Sequence, residues 1–315
     1  TQASVKDLQG MGIQPDVIVC RTEHPLEPGL KDKIALFCNV PASHVLQNLD
    51  VETLYEAPLA MEKEHLADVI CECLQLDCPE PDITEWENMV NTIKNLEKDV
   101  TVALVGKYTS LHDAYISVVE SLKHGGLAHK SNVNIKWIPS EDLNESNVDE
   151  LLSDVSGVLV PGGFGDRGID GKIIAIKYAR EHKIPFLGLC LGMQLAIVEF
   201  ARNVVGFNDA HSIELDPQTT HPVIHLMPEQ DGIEDIGGTL RLGSYPCVLD
   251  KSSKAYELYG EEMIHERHRH RYEVNNYYRE DLLKAGMTFS GLSPDGRIVE
   301  MVEIPEHPWF VATQA

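Results

Sequence analysis

Ile184-Pro-Phe-Leu-Gly-Leu-Cys-Leu-Gly-Met-Gln-Leu-Ala196 joins an apolar strand-like run to an apolar helix-like run through one cysteine, Cys190, fenced by Gly188 and Gly192. Gly188-Leu-Cys-Leu-Gly192 is G-x-C-x-G, the thiol counterpart of the G-x-S-x-G nucleophile elbow. A nucleophile on so tight a turn takes strained backbone angles, and glycines two residues to either side leave room for the bend. The helix opening at Leu191 aims its N-terminal dipole at the sulfur, which favours thiolate. Taken alone, these residues also suit an inert cysteine packed as a small hydrophobe at a strand end.

A second stretch decides between the two. Val160-Pro-Gly-Gly-Phe-Gly-Asp-Arg-Gly168 follows the preceding strand-like run. A glycine pair at a strand's carboxyl end frees backbone N–H groups for an oxyanion that develops during attack on a carbonyl. Adjacent strands ending in a cysteine elbow and a glycine cradle make an acyl-transfer site.

Outward from these motifs the pattern is α/β. Val100–Val105, Val133–Ile138, Gly157–Val160 and Ile184–Leu189 read as strands; Asp113–Leu127, Val148–Leu152, Asp170–Glu181 and Leu191–Val204 read as helices. Apolar strands alternating with amphipathic helices predict a mostly parallel sheet covered on both faces, with ligands at the strands' carboxyl ends. Beyond residue 220 the strands look antiparallel, with a hairpin turning at Ser293-Pro-Asp-Gly296 between 287–292 and 298–304. In the first 78 residues, Gly12–Cys20 and Lys33–Cys38 look like buried strands and Ala60–Leu74 like a helix. The Pro- and acid-rich stretch from Cys78 marks a linker that runs on through a polar helix to about Lys98, giving three regions: 1–78, a linker at 79–98, and 99–315.

The 315 residues fit two domains, and a hydrophobic content of 43% fits ordinary cores. A formal charge of −24 repels nucleic-acid backbones. No apolar run reaches the roughly 18 residues of a membrane helix and no signal-peptide core is present, so the expectation is a cytoplasmic protein without a nucleic-acid or membrane partner. Seven cysteines without a C-x-x-C pair fit reduced thiols. Cys71, Cys73 and Cys78 lack the further ligands of a metal site, and read as helix-face residues. The chain opens on Thr1 and stops inside a strand-like run, and so looks cut at both ends.

"GLCLGMQ" (Gly188–Gln194) and "PGGFG" (Pro161–Gly165) resemble the class I glutamine amidotransferases. "VGKYTSLHDAYISVVESLKHGG" (Val105–Gly126), "GGTLRLG" (Gly237–Gly243), "ERHRHRYEVNN" (Glu266–Asn276) and "IALFCNVP" (Ile34–Pro41) narrow the resemblance to the CTP synthase family, over the whole length. It implies a flavodoxin-like, three-layer glutaminase fold preceded by the end of a P-loop-like amidoligase domain. It implies a ligase making CTP from UTP, ATP and ammonia released from glutamine. Magnesium with ATP, GTP as activator, CTP as feedback inhibitor and a homotetramer come with it, and no tightly bound organic cofactor.

By motif, Cys190 resembles the family nucleophile, Gly163 and Leu191 the oxyanion hole, and Gly163 with Leu191, Gly192, Met193 and Gln194 the glutamine pocket. Glu214 in "HSIEL" and Arg271 resemble the grips on glutamine's amino-acid end; a carboxylate suits the α-ammonium and a guanidinium the α-carboxylate. Thr1, Gln2 and Lys33 resemble pyrimidine-nucleotide contacts, and Leu49, Asp50 and Val51 contacts to the ATP base. The family's ATP phosphate loop lies upstream of this stretch. Its catalytic histidine and glutamate stand in a His-Pro-Glu motif expected directly after Ala315, so the chain as printed is expected to carry mainly the glutaminase half and not to turn over. His307 matches the family's "HPWF" instead, and along an extended strand it lies roughly 30 Å from the expected base.

No metal site is expected. In "HERHRHR" the arginines interleave with His265, His268 and His270 and repel a cation, and strand alternation puts His268 and His270 on the face opposite the arginines. Two rival readings are a different class I amidotransferase or cysteine hydrolase, which residues 1–78 oppose, and an inert binding or assembly module, which the intact elbow opposes.

Overall fold

The computed structural model describes residues 1–226 and 241–315, so Gly237–Leu240 of the motif quoted above lie outside the described residues. The chain divides into two units, Thr1–Glu97 and Lys98–Ala315.

The first unit holds α1 (Gln2–Gly10), β1 (Ile18–Thr22), α2 (Pro28–Cys38), β2 (Val45–Leu49), α3 (Ala57–Lys63), α4 (Leu66–Leu74) and α5 (Thr84–Lys94). β1 and β2 pair in parallel, Ile18 opposite Val45. Lys33–Cys38 is not the expected strand but the end of α2. Pro28 at the first turn presets a helical φ, and Asn39 in the left-handed region (φ 56°) ends the helix. Burial follows the helical repeat: Ile34, Ala35 and Cys38 are inside, while Leu36 and Phe37 are 78% and 61% exposed. The helix expected over 60–74 is two, α3 and α4, broken at His65 with φ 60°. The polar helix expected within the 79–98 stretch is α5, which is bound to the rest of the first unit by Trp86 Nε1 donating to the Tyr55 carbonyl (2.6 Å) and by Lys94 Nζ on Glu56 Oε1 (2.7 Å).

In the second unit β3 (Lys98–Gly106), β4 (Ser131–Pro139), β5 (Gly157–Val160) and β6 (Phe186–Leu189) alternate with α6 (Ile116–Ala128), α7 (Val148–Leu152), α8 (Ile169–Glu181) and α9 (Leu191–Phe200). After β7 (His211–Ser212) and β8 (Pro222–Leu226) come β9 (Arg241–Leu249), α10 (Lys254–Tyr259), β10 (Met263–His270), β11 (Tyr272–Val274), α11 (Arg279–Lys284), β12 (Thr288–Leu292), β13 (Val299–Glu303) and β14 (Phe310–Thr313). The main sheet runs β10-β9-β12-β13-β14-β6-β5-β3-β4. Strands β14, β6, β5, β3 and β4 are mutually parallel. The rest join antiparallel, including the expected hairpin β12–β13.

Period-two alternation divides the core between the two faces of the sheet. Ala103 and Val105 of β3 and Val158 and Val160 of β5 pack with residues of α8 and α9. Leu104 and Leu159, one residue out of phase, pack with Val118, Val119 and Leu122 of α6. The result is a mostly parallel sheet flanked by helices. Behind it α8 and α9 are tied by a buried ion pair, Arg180 Nη2 and Nε on the Glu199 carboxylate at 2.7 and 2.9 Å. This pairing fixes the helix that carries the elbow.

Candidate active site

Strands β5, β6 and β14 are adjacent and parallel, so their carboxyl ends place Pro161–Gly163, Cys190 and Gln314 side by side. Cys190 caps α9 with φ 51° and ψ −103°, a conformation that L-residues rarely hold, and its N–H donates to the Thr313 carbonyl at 2.7 Å. The flanking glycines act by clearance. A Cβ on Gly192 would overlap the Val160 carbonyl, and one on Gly188 would lie 2.8 Å from the Gly192 carbonyl oxygen. The strain thus sits on the cysteine itself, and the glycines let β5 and α9 close around it.

Cys190 opens on a cavity of about 420 Å³ that Gly163, Leu191, Gln194, Glu214 and Arg271 also line. Burial pushes the Cys190 thiol up to about 11; the Leu191 N–H and the Gln314 amide pull the other way, and Glu214 adds to the rise. Desolvation therefore outweighs the helix terminus, expected from sequence to favour thiolate. Burial likewise raises the Glu214 carboxyl, while Arg271 opposes the rise. One end of the cavity thus carries a carboxylate and a guanidinium, and the other a strained cysteine beside a glycine cradle. Next to the cradle, the ammonium of buried Lys172 would lie 3.8 Å from a Cβ on Gly163, and burial, then Lys107 and Arg167, lower it to about 8.

Of the residues picked from sequence, Gly192 and Met193 do not line the cavity. Gly192 packs against β5, and Met193 is wholly buried on the core side of α9. Sequence reasoning missed Phe164, Arg269, His270 and Tyr272 in the lining, and Gln314 behind it. In β10 the alternation is as expected, Arg267 and Arg269 exposed and His268 and His270 buried. The two histidines meet buried Glu300 of β13, their ligand atoms all within 4.8 Å of one another. Several of these atoms are engaged: His270 Nδ1 with the Tyr272 carbonyl (3.0 Å), His270 Nε2 with His268 Nδ1 (3.2 Å) and Glu300 in an ion pair with Arg241 (2.7 Å), while His268 Nε2 faces Glu300 at 3.6 Å without a hydrogen bond. A guanidinium on the carboxylate makes this a poor cation site and a good polar network. His307 spends Nε2 on the Ala179 carbonyl and Nδ1 on the Trp309 N–H, both at 3.1 Å.

In the first unit Leu49, Asp50 and Val51 leave the carboxyl end of β2 and line a cavity of about 290 Å³ with Gln47, Ala60 and Lys63. Lys33 is exposed on α2, and Thr1 and Gln2 are exposed at the start of α1.

The family model described as glutamine amidotransferase class-I matches residues 110–315, and that described as CTP synthase N-terminus matches residues 1–76. The CTP synthase of Clostridium acetobutylicum is 59% identical over 314 residues, covering 100% of this chain and 59% of the relative; that of Bacillus velezensis is 55% identical over the same length and share. The chain therefore spans about three fifths of the length of these curated relatives. Among solved structures, the glutaminase domain of Trypanosoma brucei CTP synthase with bound acivicin superimposes with a TM-score of 0.64 at 40% identity, covering 68% of this chain and 84% of that one. A cysteine elbow beside a glycine cradle on a parallel sheet, matched over these residues, places the chain in the class I glutamine amidotransferase family, among the CTP synthases.

Proposed function

We infer that the second unit is the glutamine-hydrolysing part of a CTP synthase. The observation that carries the reading is a single cavity holding Cys190 at one end and Glu214 with Arg271 at the other. A free amino acid with a side-chain carboxamide fits that charge pattern: α-carboxylate on Arg271, α-ammonium on Glu214, carboxamide carbon at Sγ. Loss of the Cys190 thiol proton and attack by the sulfur form a C–S bond; the oxyanion lies against the backbone N–H groups at Gly163 and Leu191, and collapse breaks the C–N bond as the proton given up by the thiol passes to the leaving nitrogen, which departs as ammonia. Water then hydrolyses the thioester to glutamate and frees the thiol. Binding places a cationic α-ammonium beside Glu214, which removes part of the charge that holds the thiol up.

On this reading the ammonia aminates UTP to CTP at the expense of ATP, which with magnesium activates the pyrimidine. Leu49–Val51 take the ATP base in the cavity at the end of β2, and Thr1, Gln2 and Lys33 take the pyrimidine nucleotide. Residues 1–78 belong to the synthetase part and 99–315 to the glutaminase. Relatedness to CTP synthases supports GTP activation, CTP feedback, a homotetramer and a cytoplasmic location. No helix among the described residues is long and apolar enough to cross a membrane.

The test is covalent labelling by acivicin, followed by peptide mass mapping. The expected result is one adduct, on Cys190, slowed by free glutamine and lost in Cys190→Ser. An adduct elsewhere, or labelling that glutamine does not slow, overturns the reading.

A further inference from the structure

The hydrogen bonds behind Cys190 form one chain whose directions can be worked out from its fixed end. A backbone carbonyl only accepts, so the Tyr272 carbonyl, 3.0 Å from the Gln194 side chain, fixes the nitrogen Nε2 on that side. The second N–H of the same nitrogen then points at Gln314, 3.2 Å away, where only the oxygen Oε1 can receive it. That assignment leaves Gln314 Nε2 facing Cys190 Sγ at 3.6 Å. Neither amide is free to turn over: Gln314 is wholly buried and Gln194 is 4% exposed. The anchor carbonyl is itself held by His270 Nδ1, and His270 by His268. The Gln314 main chain is pinned by its N–H on the Glu300 carbonyl at 2.8 Å.

We propose that Gln314 directs the chemistry of Cys190: the chain running from the Tyr272 carbonyl through Gln194 forces its carboxamide N–H onto Sγ, where it stabilises the thiolate. The proposal rests on Cys190 being the nucleophile and adds a residue to that site. A reversed Gln314 would present its carbonyl oxygen to the sulfur and disfavour the anion, so the direction of the chain decides the sign of the effect. The amide N–H lowers the thiol and burial raises it. The charged groups sharing the cavity with the sulfur are Glu214, Arg269 and Arg271, with His270 beside them and Lys172 behind the glycine cradle. Among the described residues, Gln314 is the one whose side chain donates directly to Sγ.

The experiment is the rate of Cys190 alkylation by iodoacetamide in this chain, read by peptide mass from pH 7 to 10, for the wild type, Gln314→Met and Gln194→Met. Below the thiol pKa the log rate climbs with pH. Loss of the donor is expected to raise that pKa by about one unit, cutting the thiolate about tenfold, of which the greater nucleophilicity of a more basic thiolate restores about threefold. Both variants should therefore run parallel to the wild type and about threefold below it. A Gln314→Met profile that coincides with the wild type, or lies above it, overturns the proposal. Slowing in Gln314→Met without slowing in Gln194→Met overturns the relay that orients it. If Gln314→Met fails to fold, Gln194→Met decides, because freeing Gln314 to turn over must slow alkylation too. Iodoacetamide shares glutamine's carboxamide but lacks the amino-acid end assigned to Glu214 and Arg271, so these outcomes do not depend on the recognition that acivicin labelling tests. A displaced profile without acivicin labelling would sink the function and keep the role of Gln314.

Discussion

Cys190 holds φ 51° and ψ −103°, so its side chain is bought at the expense of backbone strain of about 1–3 kcal/mol. Cys190→Ala keeps the strain and Cys190→Gly relieves it. The glycine variant is expected to be about 1 kcal/mol more stable than the alanine variant by urea denaturation, the reverse of the usual order at a helix start; equal midpoints would show that the turn is unstrained. At the other end of the cavity, Arg271 sits just past the last residue of β10, within electrostatic reach of Glu214, whereas Arg269 is exposed and lies over the Phe164 ring. Arg271→Ala should lose at least about 2 kcal/mol of ligand recognition, which is about thirtyfold in the rate of acivicin labelling. Arg269→Ala should change that rate less than Arg271→Ala does, and equal losses would mean that the α-carboxylate is not gripped by Arg271.

Packing between elements sets where the cysteine points. Gly192→Ala drives a Cβ into the Val160 carbonyl, so α9 must move off β5; the expected cost is about 1–3 kcal/mol, with slower acivicin labelling, and a variant normal in both would refute close approach as the reason for glycine there. Arg180→Met strands Glu199, which is fully buried, and should cost about 3–5 kcal/mol in urea denaturation without altering the cavity lining. The alternation from β3 to α9 was legible because strands buried on both faces read as continuous apolar runs and the helices between them do not. The same cue failed at Lys33–Cys38, where a short apolar run does not distinguish helix from strand and the signals that settle it, Pro28 and Asn39, lie at the ends of the element. The site divides the same way. Cys190 and the glycine cradle announce themselves by local spacing, and Glu214 and Arg271 were reached through the family resemblance. Gln314 and Tyr272 become neighbours of Cys190 and Gln194 through β14 pairing with β6 and through the bend after β10, contacts 124 and 78 residues apart that no local pattern encodes.

Over the whole molecule, a net charge of −24 would lead one to expect stability to follow the carboxylates, yet the buried histidines dominate in mild acid. Burial lowers His211, His225 and His307, and drives His268 to about 3 and His270 to about 4 from an ordinary 6.5. A base whose folded pKa is depressed stays neutral in the fold while the unfolded chain takes up a proton. Stability is therefore full above 6.5 and is lost as pH falls from 6.5 toward 4. Each such ring contributes a slope of up to about 1.4 kcal/mol per pH unit within the window. The buried carboxyls Glu214 and Glu300 act in the opposite sense, because burial raises them and the fold then binds protons first as pH drops toward 4.5. With five rings against two carboxyls, unfolding free energy measured in urea should fall steadily from pH 6.5 to 4.5. The double variant His268→Gln, His270→Gln should flatten that fall by about one to two protons' worth of slope. A wild-type curve level across the window, or a double variant with an undiminished slope, would show that the pair behind the active site is charged in the fold and that burial does not hold these rings neutral.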